Sequence, residues 1–169
     1  FSLLDQTEDA TSGASIVSAS VSPASDCLLV VFARSRGDTT ATIAVTGTTL
    51  SGVGSWATPV AVYTGNSNTG TVMASWAQIT GAPGAGTVTV SWTGNQADRD
   101  IHVIEVTGHD TSAPITQTKT GTAAGGSTTY SDTFAASVAT DAAVIAGIAS
   151  QVTALGNCTP GAAFTQLGE

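Results

Sequence analysis

The most polar run in the chain is Asp98-Arg99-Asp100-Ile101-His102-Val103-Ile104-Glu105, followed closely by Gly108-His109-Asp110. If the run is a strand, alternation sets Asp98, Asp100 and His102 on one face. Carboxylates so arranged suit a calcium ion, which takes several oxygen ligands. They also suit an acid–base pair, and Asp98, Asp100 or Glu105 would then serve a glycan-active enzyme. A plainer reading is a solvated strand entrance, with Arg99 neutralising its acidic neighbours and His102 near a sheet edge. Catalysis needs a pocket and shifted pKa values as well. The plainer reading is therefore the expectation, and no catalytic, cofactor-binding or metal-binding residue is assigned.

The aromatic residues raise a second kind of chemistry. Trp56, Trp76, Trp92, Tyr63 and Tyr130 could present rings on which sugars stack. Trp92 lies on the apolar side of its run and Trp76 shares a side with Val72 and Ala74, so both are expected in the core. Trp56 and Tyr63 sit nearer loops and are the candidate glycan platform. Cys27 and Cys158 are either two buried thiols or one long-range disulfide suited to an oxidising compartment. Asn157-Cys158-Thr159 matches the short N-glycosylation pattern.

Other motifs fail on context. A hydrolase elbow needs G-x-S-x-G, and the chain has none. Gly52-Val53-Gly54-Ser55-Trp56-Ala57 leads toward a proline-containing strand, where a dinucleotide fingerprint would open a helix. Lys119 lies outside any phosphate loop.

These residues must be carried by β-structure. Thr, Val, Ser and Gly abound, whereas Glu, Lys, Gln, Arg and Met are scarce, so helix is expected to stay below about a tenth of the chain. Strands are expected over residues 15–22, 26–34, 40–46, 59–64, 71–79, 87–93, 100–107, 115–120, 128–134, 142–149 and 162–167, with a short helical turn an alternative over 135–142. Leu29, Val31, Trp76, Val88, Val90, Trp92, Val103 and Val144 are the predicted core. At 169 residues the chain fits one domain. The division is an N-terminal arm over residues 1–13 and a single antiparallel β-sandwich, jelly-roll-like, over 14–169.

Charge narrows the partners. Charged residues are 9% of the chain, against roughly 25% in ordinary soluble domains. Twelve acidic residues face four basic ones, a net charge of −8, so neither nucleic acid nor an anionic membrane is an expected partner. The start, Phe1-Ser2-Leu3-Leu4-Asp5, lacks both an initiator Met and the pattern of a signal peptide. Either a segment has been removed or the chain is part of a longer product.

The succession Asp26-Cys27-Leu28-Leu29-Val30-Val31-Phe32, Trp56, Ser75-Trp76-Ala77, Gly86 to Trp92 and Val103-Ile104-Glu105-Val106-Thr107-Gly108 resembles jelly-roll sandwich domains of tailed-phage virion proteins. The likeness spans about residues 14 to 168 and is one of strands and spacings. It implies a structural protein of the virion surface: a capsid decoration protein, or a head or tail fibre module. Such modules carry no catalytic residues or cofactor, and associate with themselves, with other virion proteins or with host glycans. The alternative is a secreted carbohydrate-binding module or adhesin; either way the expected location is a virion surface or the extracellular space. The chain departs from the pattern by ending at Phe164 to Glu169, where a last strand or pair usually follows. With so little lysine to guard sheet edges, a homo-oligomer is expected. Its N-terminal arm would pack on a neighbour, and the edge near Phe164 to Glu169 would be covered by another chain.

Overall fold

β-Branched residues fit a pleated, half-buried surface, and the computed structural model is all-β. It describes residues 1–37, 42–63, 69–121, 133–137 and 139–147, and no helix occurs among them. The strands are β1 (Ser2–Asp9), β2 (Gly13–Val17), β3 (Leu28–Gly37), β4 (Ile43–Thr48), β5 (Val60–Tyr63), β6 (Thr69–Gln78) and β7 (Val88–Val106). They form an antiparallel seven-stranded sheet in the order β1-β7-β3-β6-β5, with β2 and β4 also paired to β7.

The register explains the shape. The second half of β7 lies between β1 and β3, from Ser2 opposite Glu105 to Gly37 opposite Gln96. The first half lies between β2 and β4, with Ser91 opposite both Ser15 and Ala44. One three-stranded ribbon thus runs the length of β7, β1 continuing as β2 and β3 continuing toward β4. It bends in the middle. Ile16, Ile43, Val88, Val90 and Trp92 from one half share a buried cluster with Leu29, Val31, Met73, Ile101 and Val103 from the other. The sheet therefore folds over its own core, and β7 changes layers at a corner, as strands do in sandwich packings.

Side-chain parity records the bend. Even-numbered residues of β7 face the core before the corner (Val88, Val90, Trp92), and odd-numbered ones after it (Ile101, Val103). Between Arg34–Asp100 and Arg36–Ala97 the register takes one extra residue on β7. This is a bulge in which Asp98 adopts a left-handed φ of 45°. Without an odd insertion the second half would turn its apolar residues the wrong way.

The opposite face of the larger layer is apolar too. Leu28, Val30 and Ile104 are buried there, with Leu3, Phe32, Trp76 and Val106 beside them. Ile115 and Ile145, from the chain beyond β7, pack onto this face, and Gly147 lies so close to the Phe32 ring that no side chain would fit. β3 consequently buries both faces, which its continuous apolar run requires.

Several expectations change. The strands expected at 87–93 and 100–107 are parts of one 19-residue strand, Val88–Val106, because Gly94-Asn95-Gln96 forms the corner of a strand and not a turn between two. Residues 115–120 and 142–147 form no strand, and Ile115 and Ile145 pack on the sheet face. Val144 is half-buried and lies outside the main core, and Trp76 is half-buried on the outer face. Residues 2–9, read as an arm, are strand β1, paired within this chain. The antiparallel, sandwich-like character stands; the pairings do not by themselves establish a jelly roll. The expected strand at 162–167 and most of that at 128–134 lie outside the described residues.

Met73 is enclosed among both halves of the folded ribbon. Met73→Ala should cost about 2–5 kcal/mol of unfolding free energy. Val17→Ala, at a side chain 48% exposed, should stay within about 0.5 kcal/mol. Urea unfolding of both variants measures the difference.

Candidate functional site

Asp98, Arg99 and Asp100 gather at the corner, where they hold the bend. Arg99 is 3% exposed. Its Nη2 lies 2.5 Å from Asp9 Oδ2 and donates to the Thr11 carbonyl at 2.9 Å, while Nη1 donates to the Ser15 carbonyl. One guanidinium therefore fastens the break between β1 and β2 to the β7 corner. Gly13 faces it: a Cβ there would come within 2.7 Å of Arg99 Nη1. Asp9 also accepts bonds from the Thr11 hydroxyl and amide, which with Arg99 hold its carboxyl below the usual range.

The two carboxylates flanking Arg99 are neutralised by β3 instead. Arg34 Nε pairs with Asp100, and Arg36 Nη2 lies 2.5 Å from Asp98 Oδ2. Burial pushes the Asp100 carboxyl up, opposed by the Arg34 guanidinium and by His102, whose Nδ1 stands 3.9 Å away. The expectation that Arg99 neutralises its neighbours is corrected, since its side chain turns to the β1–β2 break. His102 is not at a sheet edge, because its stretch of β7 is flanked on both sides. The spacing Arg34-Ser35-Arg36 was the legible signal for this pairing. It matches Asp98 and Asp100 in alternation, at the end of an apolar strand.

The remaining candidates are spread apart. Glu105 accepts from the Ala24 amide at 2.7 Å and the Ser2 hydroxyl at 3.0 Å, bracing the entry to β3. Asp110 accepts from the Ser112 amide and hydroxyl, which lowers its pKa, in the turn that carries His109. No group of three His, Cys, Asp or Glu residues able to hold a metal occurs among the described residues. Cys27 is fully buried, and burial pushes its thiol up; its proposed disulfide partner Cys158 lies outside the described residues, as do Asn157, Tyr130 and the Tyr63 side chain.

Trp56, expected as a platform, packs on the main core with its Nε1 enclosed and unpartnered among the described residues. Its neighbours behave differently. Ser55 and Ala57 line a cleft of about 300 Å³ together with Gly54, Trp76, Gln78 and Pro114. Trp76, expected in the core, packs on the outer cluster of Leu28, Val30 and Ile104 and also lines this cleft. Alternation places Trp76 opposite Met73 and Ala77, on the outer face, but only the fold brings Pro114 and the 54–57 loop beside it.

No family model matches the chain, and neither a curated protein nor a solved structure matches it.

Two outcomes test the corner. Gly13→Ala should destabilise by about 1–3 kcal/mol, because the group it meets is pinned by its own bonds and cannot swing away; thermal melts measure this. Arg34→Met leaves Asp100 buried without its cation, raising its folded pKa further. A raised carboxyl pKa favours the folded state below the unfolded value, and that advantage is lost as pH rises through the folded pKa. The variant should therefore lose about 1–3 kcal/mol at pH 7 and progressively less toward the ordinary aspartate value of 3.8. Denaturant titrations across this pH range would show it.

Proposed function

We propose that this chain is a structural surface module that works by association: a virion-surface protein, either a capsid decoration protein or a head or tail fibre module. The resemblance described above motivates the virion setting. One observation carries the associative part. The outward side of the small layer β2-β7-β4 presents Ser15, Val17, Ala44, Thr46, Thr89 and Ser91, with no charged side chain among them. In a chain of net charge −8, copies can approach through this side without opposing acidic groups. The strands flanking it, β2 and β4, pair only with β7 among the described residues, so each offers an edge for further pairing. The carboxylates considered for chemistry are engaged in structural bonds, which supports a non-enzymatic role.

The size of this layer sets the strength expected. Three strands of about five residues cover on the order of 250 Å², well under the ~800 Å² per partner of a standard stable interface. A single contact should be weak, and assembly should depend on many copies held together. A second reading, a secreted carbohydrate-binding module or adhesin, is favoured by the cleft beside Trp76.

Sedimentation velocity over rising concentration should reveal reversible self-association. Val17→Lys should weaken it at least about tenfold by placing a charge on the uncharged side, with the melting temperature nearly unchanged. A monodisperse monomer up to about 1 mM, with no ordered assemblies by electron microscopy, would refute the associative role.

A further inference from the structure

We infer that the cleft beside Trp76 is a subsite for one uncharged sugar unit of a glycan. The inference deepens the carbohydrate-binding reading and rests on it, not on self-association. The lining residues supply what a sugar ring asks for. An indole side chain offers an apolar surface for the C–H face of a pyranose. The Ser55 hydroxyl and the Gln78 amide carry donors and acceptors for its hydroxyl rim.

Charge selects the class of sugar. None of the described lining residues is ionisable, and the chain carries −8 overall. A sialylated or uronic acid unit would meet no cation in the cleft and a repulsive field around it. Size limits the occupant as well, since about 300 Å³ is at the lower end of ligand sites and holds about one or two rings.

The walls are built before any ligand arrives. The Gly54 amide donates to the Gln78 carbonyl at 2.8 Å, and the Ala57 amide to the Trp76 carbonyl at 2.8 Å. Gln78 Nε2 donates to the Thr111 carbonyl at 2.7 Å, tying the segment that brings Pro114 to the same strand. Both loops are thus hydrogen-bonded to β6. The inner side of β6 is locked by Met73 and Ala77, with Ile79 buried just past its end, so little ordering remains to oppose binding. Trp92 is core-buried and Trp56 packs inward, which leaves Trp76 as the tryptophan that lines the cleft.

Isothermal titration with neutral hexasaccharides tests this, using the gluco-, xylo-, manno- and N-acetylglucosamine series. At least one should bind saturably, with affinity unchanged by added salt. Trp76→Leu keeps an apolar side chain against Leu28, Val30 and Ile104 while removing the ring, and should weaken binding about tenfold or more. Gln78→Ala should weaken it severalfold, and Trp56→Phe should leave it unchanged. The subsite is overturned if no member binds below about 10 mM, if binding survives Trp76→Leu in full, or if affinity falls with salt. Sedimentation of the wild type, run in parallel, reports on self-association independently. If Trp76→Leu does not fold, Ser55→Trp takes its place, filling the cleft from an exposed loop. Binding that persists in that variant equally overturns the subsite.

Discussion

The Arg99 guanidinium is buried where the three-stranded ribbon folds in half, and the rest of the molecule depends on that bend. A buried cation is costly unless it is paired and hydrogen-bonded. Here it has the Asp9 carboxylate at the end of β1, the Thr11 carbonyl in the break, and the Ser15 carbonyl in β2. These two carbonyls accept from the guanidinium, and the two halves of the neighbouring strand are held to the same point of β7. The bulge at Asp98 completes the corner by shifting side-chain parity, so that both halves of β7 address one core.

This arrangement accounts for much of the polar chemistry the chain possesses. Arg34, Arg36 and Arg99 all hold carboxylates at the corner, and Glu105 and Asp110 bind local backbone amides. Residues that resemble a catalytic or metal-binding run in sequence thus have a structural occupation. Among the described residues, the outward side of the small layer and the lining of the cleft beside Trp76 are uncharged.

The two faces of the larger layer divide the work. Its inner face packs against the folded-over half, and its outer face is covered in part by chain from beyond β7, through Ile115 and Ile145. The cleft forms where that covering segment, at Pro114, meets the 54–57 loop. A binding position can therefore exist on a sheet whose central strands are buried on both sides.

The sequence by itself determined the all-β class, the two-sided burial of β3, and the inward face of Val88, Val90 and Trp92. Those follow from local composition and period-two alternation, which a strand obeys wherever it lies. Only the tertiary structure decided that residues 88–106 are one bent strand, because a corner and a turn use the same Gly-Asn punctuation. Residues 2–9 joined the sheet for a related reason: edge pairing is settled by which strand lies alongside, and no local pattern records that. The surroundings of Arg99 and the tryptophans were also fixed by the fold. Arg99 turned from its sequence neighbours to Asp9, ninety residues away, while Trp56 packs on the main core and Trp76 on the outer cluster beside the cleft. Ion pairing and burial depend on what comes near in space, and that became definite only once the ribbon had folded over its core.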